Sequence, residues 1–280
     1  MIYTVVCTDI NDYINWQFEL LEYSWSRINQ PGRLIRLVSC DENQILPEHR
    51  HAEVCRTNPT NVHPKSGDFY PPYNRLYSIK QWLDEYDAEG TVLIIDADVV
   101  FRSPLKTEVV PGQPLGQHWL DYGLSETFKS AIQGSSSTDV SSLQHVTWPA
   151  LIHTQDLRTL TPRWIELTVA IREKTKAQES DMFALLTASQ ELEIQFELGT
   201  TTAFMPWPDE KVAEAPLIHY CQIVKQKNGE ELWSKGRYQP WQRVANGDYA
   251  ELAYCRDLIA LIDEFARLKN FEPKHLAKTI

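Results

Sequence analysis

Two kinds of apolar pattern alternate along the first third of the chain. Tyr3 to Cys7, Leu34 to Ser39 and Val92 to Ile95 are short, nearly continuous apolar runs. Each predicts a strand covered on both faces, because a strand with one wet face would alternate apolar and polar residues. Between these runs the period changes to that of a helix. In "NRLYSIKQWLDEY", Leu76, Ile79, Trp82, Leu83 and Tyr86 recur three or four apart on one face, while Lys80, Asp84 and Glu85 point elsewhere. Strands alternating with helices predict an α/β fold, Rossmann-like, with a mostly parallel central sheet flanked by helices. Ligands of such sheets bind outside the carboxyl ends of the strands.

The second half is less regular. "GSSSTDVSS", Gly134 to Ser142, has nothing to bury and predicts a mobile loop. "TPRWIELTVAIREK" predicts a helix with Thr161 as N-cap, Pro162 at its first position, and Trp164, Leu167 and Ile171 on the inner face. "SDMFALLTAS" starts another helix, and "DLIALIDEFARL" is amphipathic through Leu258, Leu261, Ile262, Phe265 and Leu268. No repeat and no linker interrupts the chain, so a single domain over 1–280 is expected.

Composition narrows the chemistry. With 280 residues, 42% of them hydrophobic, the chain can bury a full core. A formal charge of −11 argues against nucleic acid as a partner, since affinity for a phosphate backbone comes largely from Lys and Arg. An anionic ligand must therefore meet a local cation or a metal. Five cysteines without a Cys-x-x-Cys pair indicate neither a disulfide framework nor a zinc ribbon, which fits a reducing compartment and a cytoplasmic location. There is no basic leader and no run of eighteen apolar residues, so no membrane span is expected. Nine Trp and twelve Tyr supply core material and flat surfaces for bases or sugar rings.

The decisive stretch is "TVLIIDADVVF", in which an apolar strand runs straight into Asp96, a small spacer and Asp98. Ionised carboxylates beside a buried strand need a metal, a hydrogen-bonding cage or a solvated cleft. The spacing alone is common, since an Asp-x-Asp arises by chance about once in a chain this long. Its place at a strand end points both acids toward one cleft, where Mg2+ or Mn2+ would take carboxylate and phosphate oxygens. Two enzyme classes use this arrangement: haloacid-dehalogenase-like phosphatases and GT-A glycosyltransferases. In the phosphatases the motif opens the fold and a second acidic pair follows a later strand, whereas here about a third of the chain precedes it. The glycosyltransferase layout, a nucleotide-binding half before the motif and an acceptor half after it, matches better. It also needs a third metal ligand late in the chain. "APLIHYCQ" offers His219 after a short apolar strand, and "LWSKGRYQPW" then supplies Lys235, Arg237 and Trp241 in a loop that could close over a diphosphate.

At this point the sequence resembles a known family. "PGRLIRLVSC", "YNRLYSIKQWL", "VLIIDADVVFRSPL", "WPALIHTQDLRTLTPRWIELTVAIREKTKAQESDMFALL" and "PLIHYCQ" occur in the order and spacing of the hydroxyproline O-arabinosyltransferase and peptidyl-serine O-galactosyltransferase relatives. The resemblance runs from Tyr3 to about Trp241. It implies a GT-A-like fold, a divalent cation (Mn2+ or Mg2+), a UDP-sugar donor, and retaining transfer to a hydroxyl acceptor on a peptide or protein. By position it implies Asp96, Asp98 and His219 as metal ligands, with Asp96 also reaching the donor ribose. Thr8 and Asp9 would hold the uridine, and Asn74 and Arg75 the donor sugar or phosphate. Asp181 would orient the sugar or the acceptor hydroxyl. Asn74 and Asp181 also fit helix N-caps. The expected division is a nucleotide-binding half at 1–105, an acceptor half with the metal-ligand loop at 106–250, and a C-terminal helix at 251–280. A catalytically silent sugar- or peptide-binding module on the same scaffold remains the alternative from another class.

Overall fold

A computed structural model describes residues 1–118, 125–144, 146–204, 207, 209–212, 214–236 and 250–269. In chain order the elements are β1 (Ile2–Asp9), α1 (Asp12–Arg27), β2 (Arg33–Ser39), β3 (Ala52–Thr57), α2 (Tyr73–Glu85), β4 (Thr91–Ile95), β5 (Val99–Phe101) and β6 (Leu115–His118). There follow α3 (Glu126–Gln133), β7 (Val146–His153), α4 (Thr154–Lys174), α5 (Ser180–Glu191), β8 (Glu197–Gly199), β9 (Thr202–Phe204), α6 (Asp209–Val212), β10 (Leu217–His219), β11 (Val224–Lys225), β12 (Glu231–Trp233) and α7 (Ala253–Leu268). The chain divides into two compact units that interleave in sequence: 1–10, 32–95 and 107–199 form the first, and 11–31, 96–106 and 200–280 the second.

The first unit is built on a seven-stranded sheet in the order β3-β2-β1-β4-β7-β6-β8. The three apolar runs of the sequence become β1, β2 and β4, and these pair in parallel with β1 in the middle. β3 continues the parallel set beyond β2, while β7 joins β4 antiparallel. β4 is buried at every position, which accounts for its unbroken apolar sequence. Two glycines make the tight approaches to β1 possible. A Cβ on Gly32 (φ +103°) would lie 2.0 Å from the Ile2 carbonyl oxygen, and one on Gly90 (φ +138°) would lie 2.4 Å from that of Met1. α2, α4 and α5 pack over the sheet, with Leu76, Ile79, Trp82, Leu157, Leu160, Trp164, Leu167 and Ile171 in one core.

The second unit holds a three-stranded sheet, β5-β10-β9, and the hairpin β11-β12. Its core joins Trp16 and Leu20 of α1 to Ile218, Tyr220, Trp233 and the inner face of α7. α7 buries Leu258, Leu261, Ile262 and Phe265 as the periodicity predicts, but Leu268 is 63% exposed because it falls in the last turn, past the packed face.

Two local expectations are corrected. The helix expected to start at Thr161 begins a full two turns earlier, capped by His153, and carries Pro162 inside it. Thr161 turns its hydroxyl back to the Leu157 carbonyl, 2.6 Å away, as a mid-helix threonine does. The small polar segment after Gly134 is tied down rather than loose: Ser136 hydrogen-bonds Glu191 and Thr138, and Asp139 caps a single 3-10 turn at Val140–Ser142.

Candidate metal and nucleotide-sugar site

The chain leaves β4 at Ile95, and Asp96 is the first residue of the segment belonging to the second unit. There a tight turn carries Asp96 and Asp98 into β5, which pairs antiparallel with β10, so that His219 stands opposite Val99. The Tyr220 N–H closes the pairing on the Asp98 carbonyl at 3.0 Å. Strand pairing thus brings together side chains 121 positions apart: His219 Nε2 lies 3.1 Å from Asp98 Oδ1 and 3.9 Å from Asp96 Oδ2. One ligand atom from each of the three lies within 4.8 Å of the others. Two carboxylate oxygens and an imidazole nitrogen are a donor set suited to Mn2+ or Mg2+, so these residues fit the divalent cation the family resemblance implies.

Lys235 joins the cluster, its ammonium donating to Asp98 Oδ2. It is placed there by the β11-β12 hairpin, whose Trp233 packs edge-on against Tyr220, itself stacked on Trp16 at 6.2 Å. Burial works to raise the Asp98 carboxyl, but the His219 imidazole and the Lys235 ammonium outweigh it and hold the group well below the usual range. Burial would lower the His219 imidazole, and the Asp98 and Asp96 carboxylates reverse that and raise it. Asp96 is the more open acid, its side chain 27% exposed against 8% for Asp98.

The remaining expected residues fall in the first unit and form two groups. At the end of β1, Asn74 Nδ2 donates to Asp9 Oδ1 at 2.6 Å, and Thr8 is buried with its Oγ1 accepting from Arg36 Nε at 2.9 Å. In the second group Arg75 donates to Asp181 Oδ2 at 3.1 Å and lies over the Trp148 ring at 4.9 Å. Neither Asn74 nor Asp181 caps a helix. α2 is capped by Pro72 and α5 by Glu179, which puts Asn74 and Asp181 at second helical positions with their side chains turned to these partners.

Sequence reasoning gave no site role to several residues of the Asp181 group, Trp164 being expected only on the inner face of its helix. The Tyr70 hydroxyl sits 2.7 Å from Asp181 Oδ1, and Trp164 Nε1 donates to the Asp181 carbonyl at 2.6 Å. Tyr70 is held in turn by Arg172, whose guanidinium covers its ring at 4.2 Å and forms a two-pronged ion pair with Asp68 at 2.9 and 3.1 Å. A signal for this was present: Arg172 lies eight residues after Trp164, on the same helical face, and an inward-facing arginine demands an acid.

With this geometry established, comparison with known proteins becomes informative. Residues 3–198 match the hydroxyproline O-arabinosyltransferase family N-terminal domain. The chain belongs to this family. Curated relatives include the peptidyl serine alpha-galactosyltransferase of Arabidopsis thaliana, 26% identical over 242 residues covering 78% of this chain and 30% of that protein. The peptidyl serine alpha-galactosyltransferase of Chlamydomonas reinhardtii is 30% identical over 123 residues, covering 38% of this chain and 15% of that protein. This member of the hydroxyproline O-arabinosyltransferase family therefore spans less than a third of either relative's length. Among solved structures, the galactosyltransferase LgtC in complex with donor and acceptor sugar analogs is similar at TM-score 0.55 and 14% identity, covering 97% of this chain and 98% of that one. The glycosyltransferase GlyE of Streptococcus pneumoniae is similar at TM-score 0.51 and 12% identity, covering 98% of this chain and 66% of that one. At these identities the likeness establishes the GT-A-like fold. Arg237 and Trp241, expected from the sequence to close over a diphosphate with Lys235, lie outside the described residues. No helix among the described residues is long and apolar enough to cross a membrane.

Proposed function

We propose that the chain is a metal-dependent glycosyltransferase domain that moves a sugar from a UDP-sugar to a hydroxyl acceptor on a peptide or protein, with retention of anomeric configuration. The observation that carries this reading is the convergence of Asp96, Asp98 and His219, with Lys235 beside them, from segments far apart in sequence. Membership of the hydroxyproline O-arabinosyltransferase family and the names of the curated relatives support the acceptor class, a side-chain hydroxyl on a peptide.

Asp96, Asp98 and His219 would hold the cation, Mn2+ or Mg2+, and Lys235 would turn from Asp98 to the diphosphate. When bound, the cation supplies Lewis-acid stabilisation of the charge that develops on the departing phosphate oxygen. Thr8 and Asp9 belong to the uridine end. Arg75, with 18% of its side chain exposed, meets the donor sugar or phosphate, while Asp181, only 3% exposed, acts through Arg75 as a positioning residue. In the reaction the acceptor oxygen bonds to the anomeric carbon as the bond from that carbon to the phosphate oxygen breaks, and the acceptor proton passes to the departing phosphate on the same face. No strong protein base is then required. Arg237 and Trp241 would help exclude water from the activated sugar.

The test is UDP release from a panel of UDP-sugars with a serine- or hydroxyproline-containing peptide, with and without Mn2+. Turnover that needs Mn2+ and falls in Asp98→Ala well beyond the roughly 10–100-fold cost of losing an outer-shell partner is expected. Equal turnover by the variant without metal would refute the assignment, and release of phosphate from simple monoesters would favour the phosphatase class instead.

A further inference from the structure

The second unit holds a cavity of about 460 Å3 that the chemistry described above does not use. Small-ligand sites span roughly 300–1,000 Å3, so its size suits one. Its floor is apolar, made by Val100 of β5, Ile218 opposite it on β10, and Leu261 of α7. Asp257, Ala260, Leu261 and Glu264 follow helical spacing along one stripe of α7, and the small Ala260 leaves a gap between the two acids. Arg27, at the end of α1, donates to Glu264 Oε1 at 3.1 Å, and Arg102, after β5, donates to Asp257 Oδ2 at 2.8 Å. Each arginine charge is thereby matched by one carboxylate. Glu214 adds a third acid to the rim, exposed and without an ion pair or hydrogen bond among the described residues. Asp257 Oδ1 and Glu264 Oε2 also have no hydrogen-bond partner among the described residues. The rim therefore offers acceptors and one uncompensated negative charge above an apolar floor.

We propose that this cavity docks a lysine or arginine side chain of the polypeptide acceptor, apart from the cation site. The identity of that polypeptide rests on the transferase reading above. A long cationic side chain matches both parts of the cavity: its methylene stem covers Val100, Ile218 and Leu261, and its charged head stays at the rim with Glu214, Asp257 and Glu264. An anion meets the opposite case, because the rim arginines are already engaged by carboxylates and the remaining charge is negative. The place of the cavity also sets a length. From Asp98 to Arg102 the chain runs out along β5, about 13 Å. A basic residue next to the reacting serine falls short of that span, whereas one about five residues away in an extended peptide covers it.

The probes are peptides with one serine and one lysine about five residues away on either side, the same peptides with norleucine for lysine, and a peptide with lysine next to the serine. Binding to the full chain is followed by calorimetry in about 0.15 M salt, which screens the overall negative charge of the chain. The distant-lysine peptide should bind about fivefold more tightly than its norleucine counterpart. Glu214→Lys, which reverses a charge that no described residue pairs with, and Ala260→Leu, which fills the groove and leaves every charge in place, should each remove that preference. In UDP-sugar turnover with Mn2+, the distant lysine alone should lower the KM for peptide by a similar factor with kcat unchanged. Unaltered Mn2+ binding shows that the variants are folded. Equal binding of lysine and norleucine peptides by the wild type, or a preference that survives both variants, would overturn the docking site. An adjacent lysine that lowers KM as much as a distant one would overturn its use by the reacting acceptor. Lysine-dependent binding lost in both variants, with no turnover of any UDP-sugar, would leave the cavity assigned and sink the transferase reading instead.

Discussion

Asp98 has both oxygens engaged, Oδ1 with the His219 imidazole and Oδ2 with the Lys235 ammonium, and 8% of its side chain is exposed. A carboxylate this buried cannot stay ionised without opposite charge close by, and Lys235 supplies it when no metal is bound. The lysine and a divalent cation therefore compete for one oxygen, and a diphosphate would relieve the competition by offering Lys235 another anion. Lys235→Ala should consequently bind Mn2+ more tightly than the wild type in the absence of nucleotide and show weaker coupling between Mn2+ and UDP, both read by electron paramagnetic resonance of free Mn2+. Asp68 makes a second test at this scale. Burial would raise its carboxyl, but Arg172 and Lys176 pull it down to about 2. Because the folded value lies below the unfolded one, about 3.9, this group stabilises the fold above pH 4 and loses that contribution as the pH falls toward 2. Asp68→Asn should flatten that part of the acid unfolding curve followed by circular dichroism.

At the scale of elements, what the sequence reveals depends on how local the cause is. β1, β2, β4, α2 and α7 are legible because burial on two faces, or on one helical stripe, writes itself into a few consecutive residues. The start of α4 is not. Thr161-Pro162 satisfies every local rule for a helix start, yet β7 ends at His153, whose side chain accepts the Gln155 N–H and begins the helix there. Tertiary packing then carries the helix through the proline, with Trp164 fully buried between the sheet and α5 and bonded to the Asp181 carbonyl. Trp164→Ala should cost about 3–5 kcal/mol in urea unfolding, and because it frees the first turn of α5 it should also weaken donor binding through Asp181 and Arg75. The two-unit grouping of site residues follows the same logic. Asp96, Asp98 and His219 can be paired from sequence because each sits at a strand end, whereas Tyr70 and Trp148 act through packing against residues distant in sequence, and the inward-facing Arg172 signals only that some acid must meet it, not which one.

For the whole molecule, each unit holds one part of the chemistry expected of its family. The first carries Asp9 with Asn74 and Arg75 with Asp181, and the second carries the two acids, the imidazole and the lysine. An excess of negative charge over the chain makes local cations the means of attracting a nucleotide, and Arg75 and Lys235 are the described candidates with partial exposure at these groups. A single titration tests this most directly: Mn2+ binding with and without UDP, on the wild type and His219→Ala. One Mn2+ per chain is expected in the wild type, bound at least about tenfold more tightly with UDP present and lost or severely weakened in the variant. Equal Mn2+ binding by wild type and variant, with no response to UDP, would contradict a cation gripped by these three side chains against a sugar nucleotide.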